Sequence, residues 1–271
     1  MKKVNSYDLL GNIAVVRFPK DFKKVEKKKF AENLLKEQRV IKTVLEKKGK
    51  IKGRLRKLST NYIAGEKIKE VLYKENNCLF RFHIDKTYFS PRLSNERKEI
   101  AEKIKKGDKV LVMFAGIAPL PIVIAKNSLA REIFSNEINR EANKYAKLNI
   151  ELNKVKNKVK LLPGDIKKVA EKICKGEVNI RGTLVPSEFD VIAMPRPQLK
   201  DSFLEFAFKL SKKGTRIFYY DFCLVNEKEK IVEKIKAEAK KFKKKIKILK
   251  IKNAGEIAPY KIRLRIDFRV E

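Results

Sequence analysis

From residue 108 onward, short apolar runs alternate with stretches of helical periodicity. The apolar runs are 110–114, 133–137, 159–162, 191–194, 217–220, 246–251 and 262–270. Helical spacing fills the gaps between the first six, at 119–126, 140–153, 166–175, 202–212 and 227–243. Strands that are apolar on both faces and alternate with helices predict a parallel, doubly wound sheet. No helix separates the last two runs, so they predict an antiparallel hairpin at one edge. The expected fold class is α/β: a Rossmann-like, seven-stranded sheet with a C-terminal antiparallel hairpin.

The pattern before residue 90 is different. Residues 13–18 and 40–45 read as short strands, and 78–84 alternates like one. Residues 21–35 are Lys-rich with helical spacing at Val25, Phe30 and Leu34. Residues 47–57 are basic with two glycines, Gly49 and Gly53, and read as a loop or hairpin able to lie on phosphates, or as a solvated charge run. Ser90-Pro91 is helix-start chemistry, with Ser at the N-cap and Pro at the first helical position. That helix is expected to reach about Lys105, with Ile100 and Ile104 on one face, and to end at Gly107-Asp108. The chain thus divides into a small α+β domain over 1–90, a connecting helix over 91–107 and a larger domain over 108–271.

Charge changes the picture. Lys and Arg number 67 against 33 Asp and Glu, a formal charge of +34. A field of that sign attracts polyanions, so nucleic acid is the expected partner. No amphipathic anchor, transmembrane-length run or signal-peptide core points to a membrane, and the expected location is cytoplasmic. Cys78, Cys174 and Cys223 are too far apart in sequence to pair around a metal, and His83 is the single histidine, so no metal is expected. The thiols read as reduced and buried.

Candidate chemistry clusters at strand ends. Val112-Met113-Phe114-Ala115-Gly116-Ile117 runs from the first strand into a tight turn, where small residues let a ligand approach the backbone. Glu137 ends the second strand, where a carboxylate can accept ribose hydroxyls. Asp165 follows Pro163-Gly164 after the third strand. It suits an adenine amino group or a plain helix N-cap. Pro195-Arg196-Pro197 ends the fourth strand as a rigid loop. Arg92 and Glu96 stand four apart at a helix start and share a face, which reads as a site or as a surface ion pair.

These stretches together resemble the archaeal and eukaryotic tRNA guanosine-37 N(1)-methyltransferase family over about residues 6–271. The resemblance rests on Lys42-Thr43-Val44-Leu45, Lys48-Gly49-Lys50, Ala64-Gly65-Glu66, Tyr88-Phe89-Ser90-Pro91-Arg92-Leu93 with Glu96-Arg97, Met113-Phe114-Ala115-Gly116, and Tyr219-Tyr220. It implies a class I methyltransferase fold and methyl transfer from S-adenosylmethionine to the base beside the anticodon. Carried over by motif, Glu96 is the general base and Arg56 holds the guanine oxygen. Tyr88 and Arg92 flank the target nucleotide, and Pro195 and Pro197 rigidify the loop facing it. Met113, Phe114, Ala115, Gly116, Ile117, Glu137 and Asp165 bind the cofactor. The residue types suit the reaction: guanine N1 carries a proton that a carboxylate must remove, and a cation offsets charge on the neighbouring oxygen.

Three departures narrow the resemblance. The family usually carries a further N-terminal domain that contacts the tRNA elbow, and this chain is expected to start after it. Val112 stands where an acid is usual, and Pro195-Arg196-Pro197 replaces Asn-Leu-Pro. The last two features resemble the archaeal branch of wyosine synthesis, which methylates guanosine N1, carbon 7 of isowyosine, or both, in phenylalanine tRNA. The expected form is a monomer. Two alternatives stand beside this reading: aminocarboxypropyl transfer from the same cofactor, and a non-catalytic tRNA-binding protein with a degenerate methyltransferase fold.

Overall fold

The structure is a computed structural model that describes residue 4 and residues 7–52, 55, 57–180, 182–195 and 199–271. Arg56, Arg196 and Pro197 therefore lie outside the described residues, as do Gly53 and Arg54 of the basic run.

The N-terminal part is a four-stranded sheet in the order β1 (Tyr7–Leu10), β2 (Ile13–Val16), β3 (Thr43–Lys52), β4 (Lys57–Gly65). Helix α1 (Lys24–Glu37) is the crossover that lets β2 and β3 run parallel. One face of the sheet packs Ala14, Val16 and Val44 against Ala31 and Leu34 of α1. The strand expected at 40–45 begins at Thr43, with Val40 left exposed, and continues through the basic residues. Lys48 pairs with Ser59 and Lys52 with Lys57, so the described basic residues up to Lys52 lie on a strand antiparallel to β4. At Gly65, φ is +91°, and a Cβ would lie 2.1 Å from the Lys42 carbonyl oxygen, so the turn leaving β4 requires glycine. A separate hairpin follows, β5 (Glu70–Glu75) with β6 (Cys78–His83).

Helix α2 spans Ser94–Glu102 and is shorter than expected at both ends. Pro91–Leu93 form a 3-10 turn, and the Ser90 side chain makes no cap bond there. Instead the Ser90 carbonyl accepts a bond from the Arg97 guanidinium at 3.0 Å. Ile100 and Ile104 are buried together.

The large sheet then begins with β7 (Lys109–Val112), α3 (Pro119–Asn127), β8 (Glu132–Glu137), α4 (Arg140–Leu152), β9 (Val159–Pro163) and α5 (Ile166–Cys174). A two-residue ribbon, β10 (Asn179–Ile180) with β11 (Thr183–Leu184), precedes β12 (Phe189–Met194). Next come α6 (Leu204–Lys209), β13 (Ser211–Leu224), α7 (Lys228–Lys241), β14 (Ile246–Ala258) and β15 (Lys261–Val270). The order is β14-β15-β13-β12-β7-β8-β9, a Rossmann-like seven-stranded sheet. β15 runs antiparallel to both β13 and β14, giving the expected hairpin at the edge. The helix expected at 202–212 stops at Lys209, because Ser211 already pairs with Phe189 in the sheet. Apolar cores lie on both faces of the sheet.

Helix α4 ties the β5–β6 hairpin to this sheet. Its Asn149 accepts from the Arg81 N–H at 2.7 Å and donates to the Arg81 carbonyl at 3.1 Å. Asn153 does the same for Leu79, at 2.9 and 2.6 Å. Cys78 and Cys223 are buried, but Cys174 is exposed, since the inward face of α5 is set by Ile166, Ala170 and Ile173. Among the described residues no helix is long and apolar enough to cross a membrane.

Candidate active site

Strand order reverses between β7 and β12, and a cavity opens at the carboxyl ends of these strands. That is where an open α/β sheet leaves room for a ligand. β7 stops at Val112 rather than at Phe114, because Phe114 is in the left-handed region at φ 58°. Gly116 at 60° and Ala118 at 64° repeat the conformation. For Phe114 and Ala118 it costs about 1–2 kcal/mol each, and such strain collects at functional turns. The turn is fastened to its neighbours by the Met113 N–H, which donates to the Ala193 carbonyl, and by the Ala115 N–H, which donates to Asn136 O at 2.8 Å.

Two carboxylates face this turn. Glu137 accepts from the Gly116 N–H at 2.8 Å and from the Asn139 N–H at 2.7 Å. Burial pushes its carboxyl up from the ordinary range, against the pull of the Asn139, Gly116 and Ile138 N–H groups. Asp165 caps α5, accepting from the Lys167 N–H at 3.1 Å, and it also lines the cavity.

The opposite wall comes from α2 and the C-terminal strands. Glu96 is 7% exposed. Its Oε2 accepts from the Tyr220 hydroxyl at 2.9 Å and from the Arg265 guanidinium at 2.7 Å, and its Oε1 accepts from Lys252. Arg265, fully buried, also bonds Glu99 at 2.5 Å and Asp267 at 2.8 Å. Burial and the neighbouring Glu96 charge push the Tyr220 hydroxyl well up. Burial works against ionising Glu99, but donors from Arg265 and Lys252 outweigh it and hold that carboxyl low.

The cavity brings together Tyr88, Glu96, Phe114, Ala115, Gly116, Glu137, Asp165 and Pro195. Met113 and Ile117 are fully buried beneath the turn, in the cores on opposite faces of the sheet. Arg92 and Glu96 do not form the pair that their spacing suggested. The 3-10 turn swings Arg92 outward to Asp8 at 2.8 Å, while Glu96 points inward. Leu55, between β3 and β4, lines the same cavity, and Arg56 lies outside the described residues. Arg265, Lys252 and Arg263 carried no sequence signal. Glu96 and Glu99 stand more than 150 residues from Lys252 and Arg265 in the chain, and all three cations look like ordinary alternating charge on strands.

Residues 71–249 match the TRM5/TYW2 methyltransferase domain. The chain belongs to the TRM5/TYW2 methyltransferase family. Residues 1–68 match the TYW2 N-terminal domain. Pyrococcus abyssi Trm5b, a tRNA (guanine(37)-N(1))-methyltransferase, is 34% identical over 98% of this chain and 74% of its own length. Nanoarchaeum equitans Taw22, a tRNA (guanine(37)-N(1))/4-demethylwyosine(37)-methyltransferase, is 32% identical over 97% of this chain and 98% of its own. The crystal structure of Pyrococcus abyssi Trm5b has a TM-score of 0.84 to this one at 33% identity, covering 99% of this chain and 76% of that chain.

S-adenosylmethionine, the cofactor of the TRM5/TYW2 methyltransferases, fits the residues present. The Glu137 carboxylate has about four lone-pair sites, and the backbone N–H groups of Gly116, Asn139 and Ile138 leave room for a ribose hydroxyl. Gly116 and Ala115 put bare backbone against the cavity, and Ile138 and Ile166 give apolar walls for a purine.

Proposed function

We propose that this chain methylates the purine at position 37 of tRNA: N1 of guanine, carbon 7 of isowyosine, or both. On this reading phenylalanine tRNA is the substrate, and the enzyme works as a cytoplasmic monomer. Residues 1–90 grip the anticodon region, 91–107 connect, and 108–271 hold the cofactor. The observation that carries the reading is a buried carboxylate, Glu96, facing the same cavity as Glu137 and Asp165.

S-adenosylmethionine supplies an electrophilic methyl group on a sulfonium sulfur. Glu137, Asp165 and the Phe114–Gly116 turn bind and orient it. The target base is flipped into the cavity, because its reactive edge is otherwise stacked and paired. Glu96 then takes the N1 proton. Its two oxygens offer about four lone pairs, and Tyr220, Arg265 and Lys252 fill three, leaving a place for the N1–H. With that proton held on Glu96, N1 would keep the electron pair that accepts the methyl group the cofactor supplies. Arg56 steadies the guanine oxygen, Tyr88 and Arg92 flank the nucleotide, and Pro195 and Pro197 keep the loop at the base rigid.

Mass spectrometry of position 37, after incubation of unmodified and isowyosine-containing phenylalanine tRNA with S-adenosylmethionine, tests the reading. A methyl on either base is expected. Glu96→Gln should slow guanosine methylation about 100- to 10,000-fold with cofactor affinity unchanged. Near wild-type turnover in that variant would move the base elsewhere. A second reading, aminocarboxypropyl transfer, is favoured by the match of residues 1–68 to the TYW2 N-terminal domain. The same spectrum would show that larger group in place of a methyl.

A further inference from the structure

Tyr260 sits in the turn between β14 and β15 and is 82% exposed, more than any other large apolar side chain among the described residues. It is not a loose tip. The Tyr260 carbonyl accepts from the Val225 N–H at 3.0 Å, and Leu224 pairs with Lys261, so the turn is stitched to the end of β13. Its backbone is left-handed at φ 57°, a conformation that glycine adopts freely and a bulky residue does not. A large ring is therefore held in the solvent at a backbone cost. Its backbone neighbours Leu224 and Val225, and Ile257 three residues before it, are also exposed.

The turn lies beyond the carboxyl end of β13, the strand that contributes Tyr220 to the cavity. Arg263 joins the two. It lines the cavity, its guanidinium lies over the Phe222 ring at 5.4 Å, and it stands three residues from Tyr260 on β15. At about 3.3 Å per residue, that is a span of ~10 Å. An aromatic face flanked by Lys261 and Arg263, on a chain of charge +34, suits single-stranded nucleic acid, whose bases stack on rings while cations follow the phosphates. We propose that Tyr260 is a stacking platform for an unpaired nucleobase adjacent to the target base. This rests on the tRNA reading above and extends the base-contacting surface beyond the cavity.

The test is titration of unmodified phenylalanine tRNA into wild type, Tyr260→Ala and Tyr260→Phe at several salt concentrations. Loss of one stacked base is expected to weaken Tyr260→Ala about 10-fold, with Tyr260→Phe within about twofold of wild type. The slope of log affinity against log salt should not change, because no phosphate contact is removed. Wild-type affinity in Tyr260→Ala, an equal loss in Tyr260→Phe, or a shallower salt slope in Tyr260→Ala each overturns the platform while leaving the tRNA reading standing. A wild type that does not bind tRNA overturns both.

Discussion

Two cations of unlike exposure hold the Glu96 carboxylate. Arg265 is fully buried and serves three carboxylates, Glu96, Glu99 and Asp267. The Lys252 side chain is 31% exposed and is shared between Glu96 and Glu99. Arg265→Met would leave three inward-facing carboxylates without their shared fork, and breaking a buried pair from one side costs about 3–5 kcal/mol. Lys252→Met should cost no more than about 1 kcal/mol, since water screens that pair and Arg265 stays in place. Urea unfolding of both variants, with unchanged slopes, would show the difference as a large and a small shift of midpoint. Equal shifts would mean that Arg265 does not anchor the cluster. None of this was legible in the sequence. Glu96 and Arg265 are separated by 169 residues, and an arginine in the alternating run 261–270 reads as an outward residue until β15 is seen between two strands and under α2. The i,i+4 rule suggested Arg92 as the partner instead, and it failed because Arg92 belongs to a 3-10 turn rather than to the helix.

At the scale of elements, the attachment of β6 depends on two asparagines one turn apart, Asn149 on α4 and Asn153 at its C-cap. Asn149 and Asn153 each offer a carboxamide that mimics a neighbouring strand, giving one acceptor and one donor to the β6 backbone. Asn149 is fully buried and also donates to the Ile117 carbonyl at 3.2 Å, directly behind the cofactor turn. Asn149→Ala should destabilise the protein by about 1–3 kcal/mol for each backbone group left unpaired. It should also speed amide hydrogen exchange at Arg81 more than at Val110, in the middle of the sheet. Uniform exchange across the two strands would remove the asparagine from that role. The sequence showed these helices and strands because burial on one or both faces leaves a periodic trace, as in Ala142, Ala146 and Ile150 on α4. It did not show β5, whose Glu70–Glu75 segment alternates without a long apolar run. Nor did it show that polar Asn149 faces inward, since a residue's partner across space leaves no mark on its own neighbours.

For the whole molecule, the excess of positive charge divides the readings most sharply. Many lysines are already paired, as in Lys27 with Glu46, Lys69 with Asp85 and Lys160 with Glu132. Yet 67 basic residues exceed 33 acidic ones so far that pairing cannot absorb the field. If the surplus is an RNA footprint, each neutralised phosphate releases condensed counterion, and log affinity for tRNA should fall linearly with log salt. A footprint of roughly 6–10 phosphates loses about three to five orders of magnitude between about 50 and 200 mM on duplex DNA, and somewhat less on single strands. Affinity for S-adenosylmethionine should respond far less, since on the proposed reading its carboxylate partners are Glu137, which is buried, and Asp165, and directed hydrogen bonds at a buried group are screened little by salt. The two titrations therefore form an internal control. A steep tRNA slope beside a flat cofactor slope is the expected pair. A flat tRNA slope would make the lysines a matter of composition alone and leave recognition to base contacts in the cavity. Equal, steep slopes for both ligands would point to salt acting on the fold itself, through the charge cluster of Glu96, Glu99 and Arg265 that forms one wall of the site.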